Sequence, residues 1–181
     1  MGQVGGLTLV GEAVVILLGV LFLGAAAQVA IPLAWTPVPI SLQTWAVALI
    51  GASMGSRRGA MTVLTYLILG AAGAPLFAGG AFGAAKLIGP TGGYMFGWIG
   101  TVLVTGYLVE RGLGDRPWKM MLCMVAGELV MFAAGLAWLS RFVGVENVLL
   151  AGLIPFLPGQ AIKVSMAAMC QPMGRRSCRS C

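Results

Sequence analysis

Apolar residues fill six stretches of the chain, separated by short polar, glycine-bearing or proline-bearing breaks. A helix needs roughly 20 residues to cross a bilayer. The pattern predicts helices over about 9–32, 42–54, 60–74, 91–109, 120–139 and 149–170. In the first, Glu12 and Gln28 fall near the ends, where polar groups meet the interface. Its patch Gly24, Ala25, Ala26, Ala27 suits close helix contact, either inside the bundle or as a docking face. Before the second, Pro37 and Pro39 hold the backbone extended. Trp35 and Trp45 suit an interfacial belt, and Ser41 is expected to cap the helix that follows. Gly51, Gly55 and Gly59 have GxxxG spacing, a weak packing signal. Arg57 and Arg58 mark a very short loop to the third helix, which Pro75 closes.

The stretch 76–98 is rich in glycine yet largely apolar. It is expected to fold back as an outer cover between the third and fourth helices. ERGLGDRPWK, 110–119, is the most aqueous loop. Glu128 lies inside the fifth helix, as a partner for another helix or a structural group rather than a proton relay. The sixth opens on IPFLPGQAIK, where Pro155, Pro158 and Gly159 break the backbone before it becomes regular near Gln160. Lys163 follows three residues later on the same helical face. The expected organisation is one six-helix domain over 1–174 and a short basic tail over 175–181.

Of 181 residues, 59% are hydrophobic and 9% charged. Soluble domains carry about 25% charge, and a chain of this size could not bury so much apolar surface in water. The fold class is therefore all-α, a polytopic membrane bundle retaining its first apolar run as a helix. The chain has no histidine, which argues against a His-based triad and a His-ligated metal or haem. Its net charge of +6 reads as topology rather than a nucleic-acid surface. Arg57, Arg58, Arg111, Arg116, Lys119, Arg175, Arg176 and Arg179 fall on the side of both termini, against Lys86 and Arg141 opposite. That asymmetry predicts that both termini are cytoplasmic. Cys178 and Cys181 form a CxxC without the further ligands a zinc site needs. Cys123 and Cys170 are expected to be packed.

With this topology three polar-marked stretches share the outer side. They bring Thr36 and Gln43, Thr91 and Tyr94, and Gln160 and Lys163. Gly89, Gly92 and Gly93 would let a ligand approach backbone. Phe77, Phe82, Tyr94, Trp98 and Phe156 would wall an apolar pocket with a few aimed polar groups. Such a site fits a small, partly apolar molecule bearing amide-like groups or a carboxylate. Gln43 and Gln160 can donate and accept, and Lys163 can make a charge-assisted bond. Plainer roles stay open: Gln43 as a helix link, the glycines as packing, Tyr94 and Trp98 as interface markers, Lys163 as a snorkelling residue.

The stretches AAAQVAIPL, VPISLQTWAVALIGASMGSRRGA, YLILGAAGAPLFAGG, GPTGGYMFGWIG and PFLPGQAIK run in order from Ala25 to Lys163. Through them the chain resembles the BioY family, the biotin-specific S components of energy-coupling factor transporters. GPTGGY with VPISLQT is the strongest part of the match. The resemblance implies a six-helix protein that captures biotin from outside and partners a transmembrane coupling subunit and two ATPases. Gln43, Phe77, Thr91, Gly92, Gly93, Tyr94, Gln160 and Lys163 would bind substrate, and 24–27 would dock the partner. No Walker lysine motif occurs in this chain, so it would bind no cofactor, and ATP would be used by partner subunits. Two departures stand out: the family often has Asp where Gln160 stands, and Lys86 adds a charge to a stretch that is often neutral. The rival readings are an uptake subunit for another small vitamin and a non-transport membrane enzyme or assembly protein.

Overall fold

The computed structural model describes residues 9–157 with Gly159, Gln160, Ile162, Ser165 and Met166. Lys163, Cys170 and the tail from 175 to 181 lie outside the described residues. The elements run α1 (Leu9–Gln28), β1 (Ala30–Leu33), β2 (Thr36–Ser41), α2 (Gln43–Ala71), α3 (Ala84–Ile88), α4 (Gly92–Glu110), α5 (Pro117–Val143) and α6 (Val148–Gly152). Among the described residues three helices, α1, α4 and α5, are long and apolar enough to cross a membrane. The protein is a multi-pass helical membrane bundle.

The first helix stops at Gln28, short of the expected Pro32. Proline cannot donate to a helical ladder and pushes its predecessor toward extended backbone. The chain instead forms an antiparallel ribbon, with Ala30 opposite Ser41 and Ile31 opposite Ile40. Pro37 and Pro39 are extended as expected, but in β2, so the bundle carries a small sheet that helical periodicity gave no sign of. Ser41 does not cap α2. Leu42 holds the cap position without a side-chain bond, and the Ser41 hydroxyl donates to Gln43 Oε1 at 3.2 Å.

α2 is one continuous element only in name. Gly55 has φ 80 and ψ −179, left-handed backbone that favours glycine, and the chain reverses there. Gln43 Nε2 bonds the Tyr66 hydroxyl across 23 positions at 2.7 Å. A Cβ on Gly59 would stand 3.6 Å from the Gly51 Cα. Both pairs are symmetric about 55, so the halves 43–54 and 56–71 lie antiparallel. They correspond to the second and third expected helices. The reversal is tied to α4: Glu110 accepts from the Ser56 backbone N–H at 2.7 Å and from its hydroxyl. A carboxylate at the start of the returning half suits the orphan amides there. Glu12 in the first turn of α1 takes a forked ion pair from Arg58. One end of the bundle therefore gathers the starts of α1 and of the returning half with the end of α4.

Between these points α4 packs against both neighbours with almost no room. A Cβ on Gly97 would lie 2.8 Å from Met131 Cα of α5, and one on Gly51 would lie 3.1 Å from Val102 Cα of α4. Backbones approach this closely only where a side chain is absent. Leu23, Val47, Val63, Tyr66, Val102 and Met131 fill the buried centre. The fifth helix is longer than the expected 120–139, running from Pro117 to Val143 and capped by Gly144 with φ 79. The sixth segment is broken as its prolines imply. After α6 the chain turns through 153–156, and helical backbone resumes at Leu157 and Gln160.

Candidate ligand-binding site

At the end opposite Arg58 and Glu110, the ribbon, the start of α2, the strap 72–91, the start of α4 and the broken sixth segment enclose a cleft. It takes in about 800 Å³ of empty space, open solvent at its mouth included. Seven predicted residues line it: Gln43, Phe77, Thr91, Tyr94, Trp98, Phe156 and Gln160. Three sequence stretches separated by up to 117 positions, from Gln43 to Gln160, therefore meet at one place.

The polar groups are held in definite orientations. Tyr66 donates its hydroxyl proton to the Leu76 carbonyl at 2.7 Å. Its oxygen must then accept from Gln43 Nε2, which turns the Gln43 carbonyl toward the Ser41 hydroxyl on the cleft wall. Across from it, Thr44 donates to Gln160 Oε1 at 3.0 Å. Both glutamines are buried, at 4% and 6% exposure. Thr36 faces α6 instead of the cleft, donating to the Ala151 carbonyl at 2.7 Å. The Tyr94 hydroxyl donates to the Gly152 carbonyl at 2.8 Å. Two polar residues thus anchor the broken sixth segment to the ribbon and to α4, and the Tyr94 ring remains as wall.

Other predicted residues sit elsewhere. Gly92 and Gly93 are not on the cleft wall. Their absent side chains make room for the Leu87 carbonyl and for Trp138, so they serve packing against the strap and α5 rather than ligand approach. Phe82 points away and is 61% exposed. In the 24–27 patch, Gly24, Ala26 and Ala27 are buried within the bundle and only Ala25 is exposed. Glu128 is buried in α5 and does not line the cleft. Among residues that sequence reasoning passed over, Thr44 and Ser41 line the cleft, as do Met131 and Phe132 from α5. The buried hydroxyl of Tyr66, which needs a partner wherever it is placed, was the signal for the Gln43 bond. Lys86 of α3 also lines the wall and stays exposed; no acidic residue is among the lining residues.

The chain matches the BioY family model over residues 3–180. It is 37% identical over 147 residues to the biotin transporter BioY of Rhizobium etli, covering 77% of this chain and 79% of that one. It is 38% identical over 144 residues to the biotin transporter BioY of Thermotoga maritima, covering 79% and 83%. Its fold is similar to the crystal structure of the S-component for biotin from an ECF-type ABC transporter, with TM-score 0.81, 26% identity, and 91% and 92% of the two chains covered. A match along nearly the full sequence, relatives well above 30% identity and a shared architecture make this chain a member of the BioY family.

Proposed function

We propose that this chain captures biotin outside the cell as the S component of an energy-coupling factor transporter, holding it in the cleft above α4. The observation that carries this reading is the cleft's composition. Biotin joins an apolar thioether ring and alkyl chain to a ureido group at one end and a carboxylate at the other. The wall is aromatic and aliphatic around a small set of oriented amides and hydroxyls. Amides answer the ureido group, and an ammonium answers the carboxylate. Lys86 lines the wall, and Lys163 follows Gln160 by three positions; either supplies that charge.

The protein is a transport component and not an enzyme, and ATP is used by partner subunits. The reversal at Gly55 supports counting the two halves of α2 as separate crossings, with the broken segment after Val148 as the sixth. The end bearing Arg57, Arg58, Arg111, Arg116 and Lys119 then faces the cytoplasm with both termini, because basic loops are retained inside. The cleft and its glycine-rich strap face outward. On α1, Val14, Leu18, Leu21 and Ala25 follow one another at three- and four-residue steps on an exposed face. This stripe, centred on Ala25 of the 24–27 patch, is our docking face for a transmembrane coupling subunit that joins two ATPases. Equilibrium binding of labelled biotin to the purified protein tests the reading. Saturable binding at micromolar biotin or below is expected, with Lys163→Met weakening it about ten- to a hundredfold, the range for losing a hydrogen bond to a charge. Absence of biotin binding, with saturable binding of another vitamin, overturns it.

A further inference from the structure

We propose that the groove between the reversal at Gly55 and the last turns of α4 holds an anionic phospholipid, with its phosphate on Arg57 and Arg111 and one acyl chain against α4. This site lies at the opposite end of the bundle from the cleft and goes beyond the biotin reading. Its wall is Ser56, Leu103, Val104, Tyr107 and Leu108. The four α4 residues recur at the three- and four-residue steps of one helical face. Elsewhere α4 packs against α2 and α5, but Leu103 and Tyr107 stay 43% and 49% exposed. Any lipid tail could lie on such a face. What selects among lipids is the charge at its rim.

The Arg111 guanidinium lies over the Tyr107 ring, 4.7 Å from its centre. A wall residue of the groove therefore holds a cation at its mouth. A guanidinium stacked on an aromatic face keeps its N–H edge free, and that planar fork matches phosphate oxygens. Arg57 directly follows the wall residue Ser56 and is exposed. The carboxylate next to Arg111 in the chain is Glu110, which is engaged by the Ser56 backbone N–H and hydroxyl. Arg58 is taken by Glu12, and Lys119 by Asp115. Arg57 and Arg111 have no carboxylate partner among the described residues, and the rim stays net positive even with Glu110 counted. Two guanidiniums beside an apolar groove at a helix end answer a ligand that joins a phosphate to hydrocarbon. The proposed topology puts this rim on the cytoplasmic side, where anionic headgroups concentrate.

Native mass spectrometry of the purified protein in detergent tests this, by titration with phosphatidylglycerol or with phosphatidylcholine carrying the same chains. Wild type should bind its first phosphatidylglycerol roughly twentyfold more tightly, from about fivefold for each arginine. Arg57→Gln with Arg111→Gln should bring the two lipids within about twofold of each other. Lys119→Gln, at the same end but drawn from an existing ion pair, should keep the preference. Val104→Trp fills the groove and should abolish the tight first site. Glycerol 3-phosphate at millimolar concentration should displace nothing, because it has no chain to bury. Biotin affinity, followed in parallel, should be unchanged in every variant and reports an intact fold. Equal affinity for the two lipids in wild type, or a preference that survives loss of both arginines, overturns the proposal. A preference lost equally in Lys119→Gln overturns the assignment to Arg57 and Arg111. Displacement by glycerol 3-phosphate, or undiminished binding in Val104→Trp, overturns the groove as the seat of the chain.

Discussion

At the end of the bundle that carries Arg58 and Glu110, helix backbones come together at glycines beside the Ser56–Glu110 and Arg58–Glu12 ties. At the cleft end, the same helices are held apart by side chains whose amides and hydroxyls each have a direction. The first region gets its order from subtraction. Glycines at 51 and 106 admit neighbouring backbone, and packing is decided by whether a Cβ fits. The second gets its order from a chain of donors and acceptors running from Ser41 through Gln43 and Tyr66 to Leu76. Dense packing favours one shape regardless of what is bound. A directed polar chain gives the cleft wall a defined polarity, and recognition needs that.

Substitutions should separate the two regions. Gly106→Leu drives a side chain into the backbone of Gly55 and Ser56, and overpacking against rigid backbone is costly. We expect a loss of more than about 3 kcal/mol, seen as a collapse of folded yield and melting temperature in detergent, with ligand recognition lost only because the fold is. Tyr66→Phe should act on the other region. It leaves Gln43 Nε2 buried without its partner, destabilising by about 1–3 kcal/mol. Yet biotin affinity of the folded fraction should fall by about tenfold, measured by equilibrium binding. Equal affinity in wild type and Tyr66→Phe would show the polar chain to be mere packing. The smallest effect is expected outside both regions. A hydrogen bond from Lys119 holds the Asp115 carboxyl below its ordinary range. That contribution is present at neutral pH and is lost as pH falls through the depressed pKa. Both groups are at the surface, where such pairs contribute little. Asp115→Asn should leave melting temperature and biotin affinity unchanged within error at neutral pH, and should slightly flatten the acid limb of a stability-against-pH curve.

Much of this was legible in the chain. GPTGGY marks the start of α4 because proline and glycine punctuate a helix boundary. Gln43, Phe77, Tyr94 and Gln160 meet at one cleft, since polar and aromatic residues beside breaks in apolar runs have few other places to go. The ribbon was not legible: Pro37 and Pro39 fix local backbone, but a ladder depends on which segment lies opposite, and that is tertiary. The role of Gly92 and Gly93 was also hidden. A glycine signals close approach without saying from which side, and here Leu87 and Trp138 approach, not a ligand. Phe82 fails for a related reason, since its strap makes its own turns through Gly79, Gly80 and Gly83, and no helical or strand period indicates where a side chain there will point.

The ribbon beside the cleft has one further consequence. Two strands alone leave both outer rims of backbone without a neighbour, and such rims invite other chains to add themselves. Pro32, Pro37 and Pro39 account for three of the ten strand residues. Prolines settle on rims where no donor is needed, and a rim poor in donors cannot template a third strand. Crowded copies in one membrane can therefore brush past each other at their cleft mouths without becoming stitched together.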